Sequence, residues 1–258
     1  MPGPESIAVS VADLEKRFGS FVAVDRISFS VKRGEIFGFL GANGAGKSTT
    51  IRMLCGILSP TSGSGQVAGL DIMRQSEAIK SRIGYMSQKF SLYQDMTVAE
   101  NIDFFMGIYG VARRRRAERK AWALEMTRLQ DSGGMLTGTL PTGLRQRLAL
   151  GCALLHEPEI VFLDEPTSGV DPGTRRRFWA FIRELAGAGI TIFVTTHYMD
   201  EAENCDRIAM IFSGRILACA SPAELKRTFA ADMARPSLQQ VFIHLMKSSA
   251  RPAAGVEL

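Results

Sequence analysis

The 258-residue sequence predicts an α/β fold on a mainly parallel sheet, with a helical block inserted at about residues 95–150. Three observations carry that expectation. From Ile160 onward, apolar strand-like runs alternate with helical stretches. Upstream, the short apolar run Ile36 to Leu40 ends in a glycine-rich loop that opens a helical stretch. Between these regions, from Asp95, the apolar pattern turns helical.

Element by element, Ile27, Phe29 and Val31 alternate with Ser28 and Ser30, a half-buried strand that stops at the turn Lys32-Arg33-Gly34. Ile36 to Leu40 is a buried strand. Ser59 to Gly69 is rich in Gly, Ser and Pro, which suits turns and short strands. Thr97 with Glu100 three residues later is a capping box ahead of Ile102, Phe104 and Phe105. Helical sequence continues through Trp122 and Leu129, Asp131 to Gly143 reads as a loop, and Leu144 to Leu155 as a further helix. Ile160 to Leu163, Thr191 to Thr195 and Ile208 to Phe212 are buried strands. Phe178, Phe181, Ile182 and Leu185 mark one face of a helix that Gly187 and Gly189 stop. Ser221-Pro222-x-Glu224 and Ser237-x-x-Gln240 start two closing helices, the second with Leu238, Val241, Phe242 and Leu245 on one face.

Composition narrows the class. A hydrophobic share of 46% and a charged share of 22% are ordinary for a soluble globular chain. No apolar run is long enough to span a membrane, and the opening MPGPESIAVS lacks a secretory leader's basic start and apolar core. Cys55, Cys152, Cys205 and Cys219 are scattered without C-x-x-C spacing, which predicts a reduced cytosolic chain rather than a disulfide or zinc scaffold. The net charge of +5 suits a polyanionic ligand or an anionic membrane surface and singles out neither. Arg113 to Arg116 is the densest basic run. Without interleaved aromatics it reads as a solvated helix end, and no nucleic-acid partner is expected.

Gly41-Ala42-Asn43-Gly44-Ala45-Gly46-Lys47-Ser48 fits G-x-x-x-x-G-K-[ST] in the context that motif requires, after a strand and before a helix. Its glycines let backbone N–H groups wrap around phosphates, and the helix N-terminus adds a favourable dipole. Lys47 neutralises β- and γ-phosphate charge and Ser48 ligates Mg²⁺; Gly41, Asn43, Gly44, Ala45, Gly46 and Thr49 complete the candidate nucleotide-binding set. Asp164 and Glu165 end the strand at Ile160 to Leu163. Beside a phosphate loop, the first acid suits Mg²⁺ held through water and the second suits a base for attacking water.

Together these motifs resemble the nucleotide-binding domain of ATP-binding cassette (ABC) transporters, over roughly residues 7–225. That resemblance implies a P-loop NTPase (RecA-like) core, an N-terminal antiparallel β-subdomain and an inserted helical subdomain, in one domain across residues 1–258 with a family tail at about 221–258. Gln88, in YMSQ, resembles the glutamine that contacts Mg²⁺ and senses the membrane partner. Ser168-Gly169-Val170-Asp171 resembles the D-loop, with Asp171 among the nucleotide-site residues. His197, in VTTH, resembles the switch histidine on the γ-phosphate, and Phe18, in KRFG, the aromatic that stacks on adenine. His156 and His244 have no chemical partner in view and read as structural.

In that family an L-S-G-G-Q-like signature precedes a Q-R pair and binds the γ-phosphate of ATP held by the other subunit. Here Arg145-Gln146-Arg147 matches, and counting back from Asp164 places the signature at Leu140 to Leu144. Pro141 stands for the serine, Thr142 for the first glycine and Leu144 for the glutamine, while Gly143 is retained. SGGM at 132–135 lies too far upstream and reads as a chance loop. Proline removes a hydroxyl and a backbone N–H, and threonine adds a Cβ. The helix N-terminus still favours an anion by about 0.3–1 kcal/mol. Either the Thr142 hydroxyl substitutes for the serine, or this is a weakened half-site offset by an intact partner.

The ending PSLQQVF and the run VTTHYMDEAENCDRIAMI resemble the multidrug-export branch of the family. The resemblance implies an ATP-hydrolysing, Mg²⁺-dependent exporter subunit, for multidrug or other hydrophobic cargo. It would act as a homodimer or heterodimer under a separate integral-membrane permease, peripheral on the cytoplasmic face of the cell membrane. Two other readings stand beside it. One is a soluble cassette ATPase of translation or DNA maintenance, though neither a second cassette nor a long coiled coil is present. The other is a low-turnover ATP-binding module.

Overall fold

The computed structural model describes residues 7–88, 92–229 and 237–249. Most of the opening stretch, Pro236 at the start of the tail motif, and residues 230–235 and 250–258 of the expected family tail lie outside them. β1 (Ile7–Phe18) and β2 (Phe21–Lys32) form a long antiparallel hairpin closed at the Phe18–Phe21 pair. The predicted alternation in β2 buries Ile27, Phe29 and Val31. β3 (Ile36–Leu40) is buried at every position and feeds the phosphate loop, from which α1 (Lys47–Leu54) rises.

β4 (Ser62–Val67) pairs antiparallel with β1, and β5 (Leu70–Asp71) with β4, giving a sheet ordered β2-β1-β4-β5. The antiparallel unit therefore draws half its strands from beyond the phosphate loop. In β4 only Gln66's neighbours Gly65 and Val67 are buried, so the sequence carried little register signal there.

α2 (Ser76–Lys80) and β6 (Ile83–Met86) return the chain to the core. The inserted helices are α3 (Val98–Ile108), α4 (Arg116–Thr127) and α5 (Thr142–Ala153). Thr97 and Glu100 exchange both capping-box hydrogen bonds at the start of α3. The helical stretch expected to run on to Leu129 is broken after α3: Gly110 takes a left-handed φ of 65°, and Arg113–Arg115 form a single 3-10 turn before α4. The arginine run thus sits at a helix end, as expected, with Arg115 held by Glu157 at 2.6 Å. α5 begins at Thr142, two residues before the expected Leu144, because Pro141 serves as its N-cap with a fixed φ of −53°.

β7 (Ile160–Asp164), α6 (Pro172–Gly187), β8 (Thr191–Thr196), α7 (Met199–Ala202), β9 (Arg207–Phe212) and β10 (Arg215–Ala220) follow. They complete a sheet ordered β10-β9-β3-β8-β7-β6, in which only the β10–β9 pairing is antiparallel. α8 (Pro222–Phe229) and α9 (Leu238–Ser249) start at their predicted caps, Ser221–Glu224 and Ser237–Gln240. Leu238, Val241, Phe242 and Leu245 pack into the same core cluster as α6 and β8.

The two sheets share one apolar cluster. Phe29 of β2 meets Phe37 and Phe39 of β3 at ring centroid separations of 5.5 and 5.1 Å, and Phe193 of β8 closes on Phe39 at 4.9 Å. Such pairs add about 0.5–1.5 kcal/mol each beyond area burial. This packing holds the mouth of the β1–β2 hairpin above the loop that β3 delivers.

Candidate functional site

Strand ends deliver the chemistry. In a mainly parallel sheet, β3, β7 and β8 point their C-terminal ends the same way, which brings the phosphate loop, Asp164–Glu165 and His197 to one edge. Gly46 is the N-cap of α1 at a φ of 104°, and a Cβ there would lie 2.6 Å from the Ala23 carbonyl oxygen, so no other residue fits. The loop is further pinned by the Gly214 N–H donating to the Ala45 carbonyl at 3.1 Å.

Lys47 is almost fully buried. Its Nζ donates to the Gly41 and Ala42 carbonyls at 2.8 and 3.0 Å and lies 3.1 Å from Glu165 Oε1. Ser48 Oγ donates to Asp164 Oδ1 at 2.9 Å, and Thr195 Oγ1 donates to the same oxygen at 2.8 Å. Glu165 has a left-handed φ of 48°, a conformation that costs a non-glycine residue about 1–2 kcal/mol. Thr195 holds it there, accepting the Glu165 N–H at 3.0 Å. The second carboxylate oxygen of Glu165 accepts from Gln88 Nε2 at 3.2 Å and lies 3.2 Å from His197 Nδ1, a close contact without good hydrogen-bond geometry. Burial and the nearby Asp164 charge push the Tyr85 hydroxyl up to about 12, so that ring stays neutral behind the site.

Above these groups opens a cleft of about 420 Å³, within the usual range of ligand sites. Asn43, Gly44, Gly46, Lys47, Ser48 and Thr49 form its floor; Gln88 and Glu165 form one wall. Phe18 stands at its mouth, half exposed, and so does Phe21, its partner across the β-turn. Phe21 was not among the sequence candidates, although a two-residue Gly19-Ser20 turn between two aromatics signals that they stand together.

Ser48 and Asp164 offer two oxygen donors within 2.9 Å of each other, with Gln88 nearby, a set that suits a hard divalent cation sharing phosphate oxygens. Among the described residues no group of three or more His, Cys, Asp or Glu gathers elsewhere as a metal cluster. The four cysteines are free, three of them buried.

Thr142, Gly143 and Asp171 are not in this cleft. Asp171 caps α6, accepting the Gly173 and Thr174 N–H groups at 3.0 Å; the Thr174 hydroxyl first, then these N–H groups, hold its carboxyl below the usual carboxylate range. Thr142 is exposed, and its hydroxyl accepts from Arg145 Nη2 at 3.2 Å. Gly143 lines a second pocket of about 270 Å³ between α5 and α6, beside Arg128, Arg147 and Arg177. Burial first, then the charges of Arg128 and Arg177, lower the Arg147 pKa. A Cβ on Gly143 would press on Thr174 Cγ2, so close packing of α5 on α6 favours glycine there unless the Thr174 side chain turns away.

SGGM at 132–135 is indeed elsewhere, and it has a structural task. The Gly133 and Met135 carbonyls accept the first N–H groups of α3, from Ala99 and Val98, at 2.9 Å. His156 is structural as well: its ring stacks on Tyr109 at 4.0 Å, and Nε2 bonds the Ile83 carbonyl at 2.9 Å. His244 is exposed on α9.

Comparison with known proteins agrees with this geometry. The ABC transporter family model matches residues 24–168. The probable multidrug ABC transporter ATP-binding protein YbhF of Escherichia coli K12 is 49% identical over 94% of this chain, which spans 42% of YbhF's length. The Nod factor export ATP-binding protein I of Ralstonia nicotianae is 40% identical, covering 87% of this chain and 71% of that protein. Among solved structures, an ATP-binding subunit of an ABC transporter superposes with a TM-score of 0.81 at 27% identity, covering 93% of this chain and 99% of that one. The ADP conformation of MJ1267, an ATP-binding cassette, superposes at 0.79 with 26% identity, covering 92% and 99%. With its phosphate loop, paired acids and sheet order all in place, the chain belongs to the ABC transporter family, as an ATP-binding domain.

Proposed function

We propose that this chain is the ATP-binding, ATP-hydrolysing subunit of a membrane exporter, driving a separate permease from the cytoplasmic face. Its similarity to a probable multidrug transporter ATP-binding protein and a daunorubicin resistance ATP-binding protein supports drugs or other hydrophobic compounds as the cargo class. One observation carries the hydrolytic reading: a single strained carboxylate, Glu165, meets Lys47, Gln88 and His197 beside the Ser48–Asp164 pair.

In this reading Phe18 and Phe21 receive the adenine ring, and the N–H groups of the loop and α1 receive the phosphates. Lys47 exchanges its Gly41, Ala42 and Glu165 partners for β- and γ-phosphate oxygens. Mg²⁺, when bound with the nucleotide by Ser48, Asp164 and Gln88, supplies charge neutralisation on the phosphates. Glu165 accepts the proton of the attacking water, and His197 steadies the γ-phosphate. Thr142 and Gly143, remote from this cleft, face the nucleotide of a second ATPase subunit, identical or sister, so two chains would enclose two nucleotides.

Glu165→Gln tests the reading, since it keeps shape and removes the base. ATP turnover is expected to fall by at least about 100-fold while MgATP binding persists and a stable dimer forms, read by light scattering. Unchanged turnover would falsify it. No observation favours the translation, DNA-maintenance or silent-module alternatives over this one.

A further inference from the structure

Glu201 lies on the four-residue helix α7, is 2% exposed, and does not line the nucleotide cleft described above. Its carboxylate is nonetheless fully engaged. One oxygen accepts from the Thr167 hydroxyl and lies 3.8 Å from Arg175 Nε; the other accepts from the Thr196 hydroxyl at 2.6 Å. Thr167 is two residues past Glu165, and Thr196 immediately precedes His197. Thr196 Oγ1 also accepts the Tyr198 N–H at 2.9 Å, which fixes the chain on both sides of the histidine. On the far side of the same turn, the fully buried Gln146 of α5 donates from Nε2 to the Pro166 carbonyl at 2.7 Å.

A carboxylate can only accept, so it dictates where both threonine hydroxyls point. We propose that Glu201 is a positioning residue for ATP hydrolysis: it locks the turn after Glu165 to the strand end that carries His197, and Gln146 ties α5 into that frame. Movement of α5, the helix that begins at Thr142, is thereby transmitted to the catalytic carboxylate of the same chain. Burial raises the pKa of Glu201 despite its hydroxyl partners and Arg175, so placing a carboxyl group here carries a desolvation cost. An apolar residue would hold two elements together without that cost, but it would not orient two hydroxyls.

The inference rests on the hydrolytic reading above, and the test separates the two. ATP turnover, KM and thermal midpoint are measured for the full chain as wild type, E201A, E201Q, T167V and E165Q. E201A is expected to lower kcat at least about tenfold with KM for ATP changed less than about twofold, because the phosphate loop is untouched. E201Q recovers part of the rate while its thermal midpoint stays at or above that of wild type, a split that a purely structural role does not produce. T167V falls between E201Q and wild type. If E201A fails to fold, E201Q and T167V carry the same reading. Wild-type kcat in E201Q and T167V, or a rate loss that travels with raised KM, overturns the positioning role. Full turnover in E165Q sinks the hydrolytic reading instead, whereas a silent E165Q with unaffected T167V and E201Q sinks only this inference.

Discussion

The phosphate-loop cleft and the pocket at the start of α5 use similar materials, glycines, threonines and cations, to opposite effect. In the cleft, Lys47, Ser48, Asp164, Thr195 and Glu165 form one connected network of largely buried groups, with His197 Nδ1 at its edge lacking a hydrogen bond. At α5 the groups are exposed or unanswered. Pro141 supplies no side-chain cap, Arg145 Nε is buried without a hydrogen-bond partner, and three arginines share a pocket with no carboxylate among its lining residues. A site finished within one chain is preorganised. In the proposed dimer, a second molecule would supply the partners that the polar groups at α5 lack within one chain.

That contrast can be broken at several points. Lys47→Ala should have the largest effect, abolishing detectable ATP binding in a fluorescent-nucleotide titration and cutting turnover by more than about 100-fold. Retained binding would mean that the cleft does not depend on its buried cation. Thr195→Val removes the hydroxyl that bridges Asp164 and Glu165 and leaves the Glu165 N–H unpaired. It is expected to cost about 1–3 kcal/mol of stability, visible as a lower thermal midpoint, and to slow turnover.

At the other region the effects should be smaller and of a different kind. Gly143→Ala drives a methyl into Thr174 and should destabilise by about 1–3 kcal/mol in chemical denaturation. Thr174→Ser removes the offending Cγ2, so the double variant should regain most of that loss; failure to do so would place the glycine's importance outside helix packing. Thr142→Val should leave stability within about 0.5 kcal/mol, since the residue is exposed. Its turnover in the dimer then decides whether that hydroxyl stands in for the signature serine: an unchanged rate removes the substitution idea and leaves the weakened half-site.

The smallest expected effect lies outside both regions. Burial holds the His156 ring below its ordinary value of 6.5. A depressed folded pKa means that the unfolded chain binds more protons in that window. The stabilisation is therefore complete above about pH 6.5 and is lost as pH falls through the folded value. His156→Phe keeps a ring on Tyr109 and should flatten the decline in thermal midpoint between pH 7 and 5; an unchanged slope would assign the decline to other groups.

Much of this was legible without coordinates. The glycine-rich loop, the buried strands ending in Leu40, Leu163 and Thr195, and the caps at Thr97, Ser221 and Ser237 all rest on local rules of turn chemistry and periodicity. The structure placed each within a residue or two. The misses have physical reasons. β4 carries too little apolar pattern to announce its pairing with β1. The break after α3 depends on one left-handed glycine inside a helical composition. Thr195, Gln146 and Glu201 are polar residues among other polar or mixed neighbours, and only burial reveals that their hydrogen bonds are committed.

By itself, then, the sequence marked the phosphate loop, the acids at the end of β7, and the stretch 140–144 where the signature is expected. Each depends on residues close together in the chain or on fixed spacing between them. Only the tertiary structure decided which of those residues meet. A parallel sheet aligns strand ends from distant parts of the chain, so Lys47, Asp164, Glu165 and His197 gather at one edge while Thr142, Gly143 and Asp171 fall elsewhere. It also decided that SGGM is a helix cap, because backbone carbonyls act through position and leave no trace in residue identity.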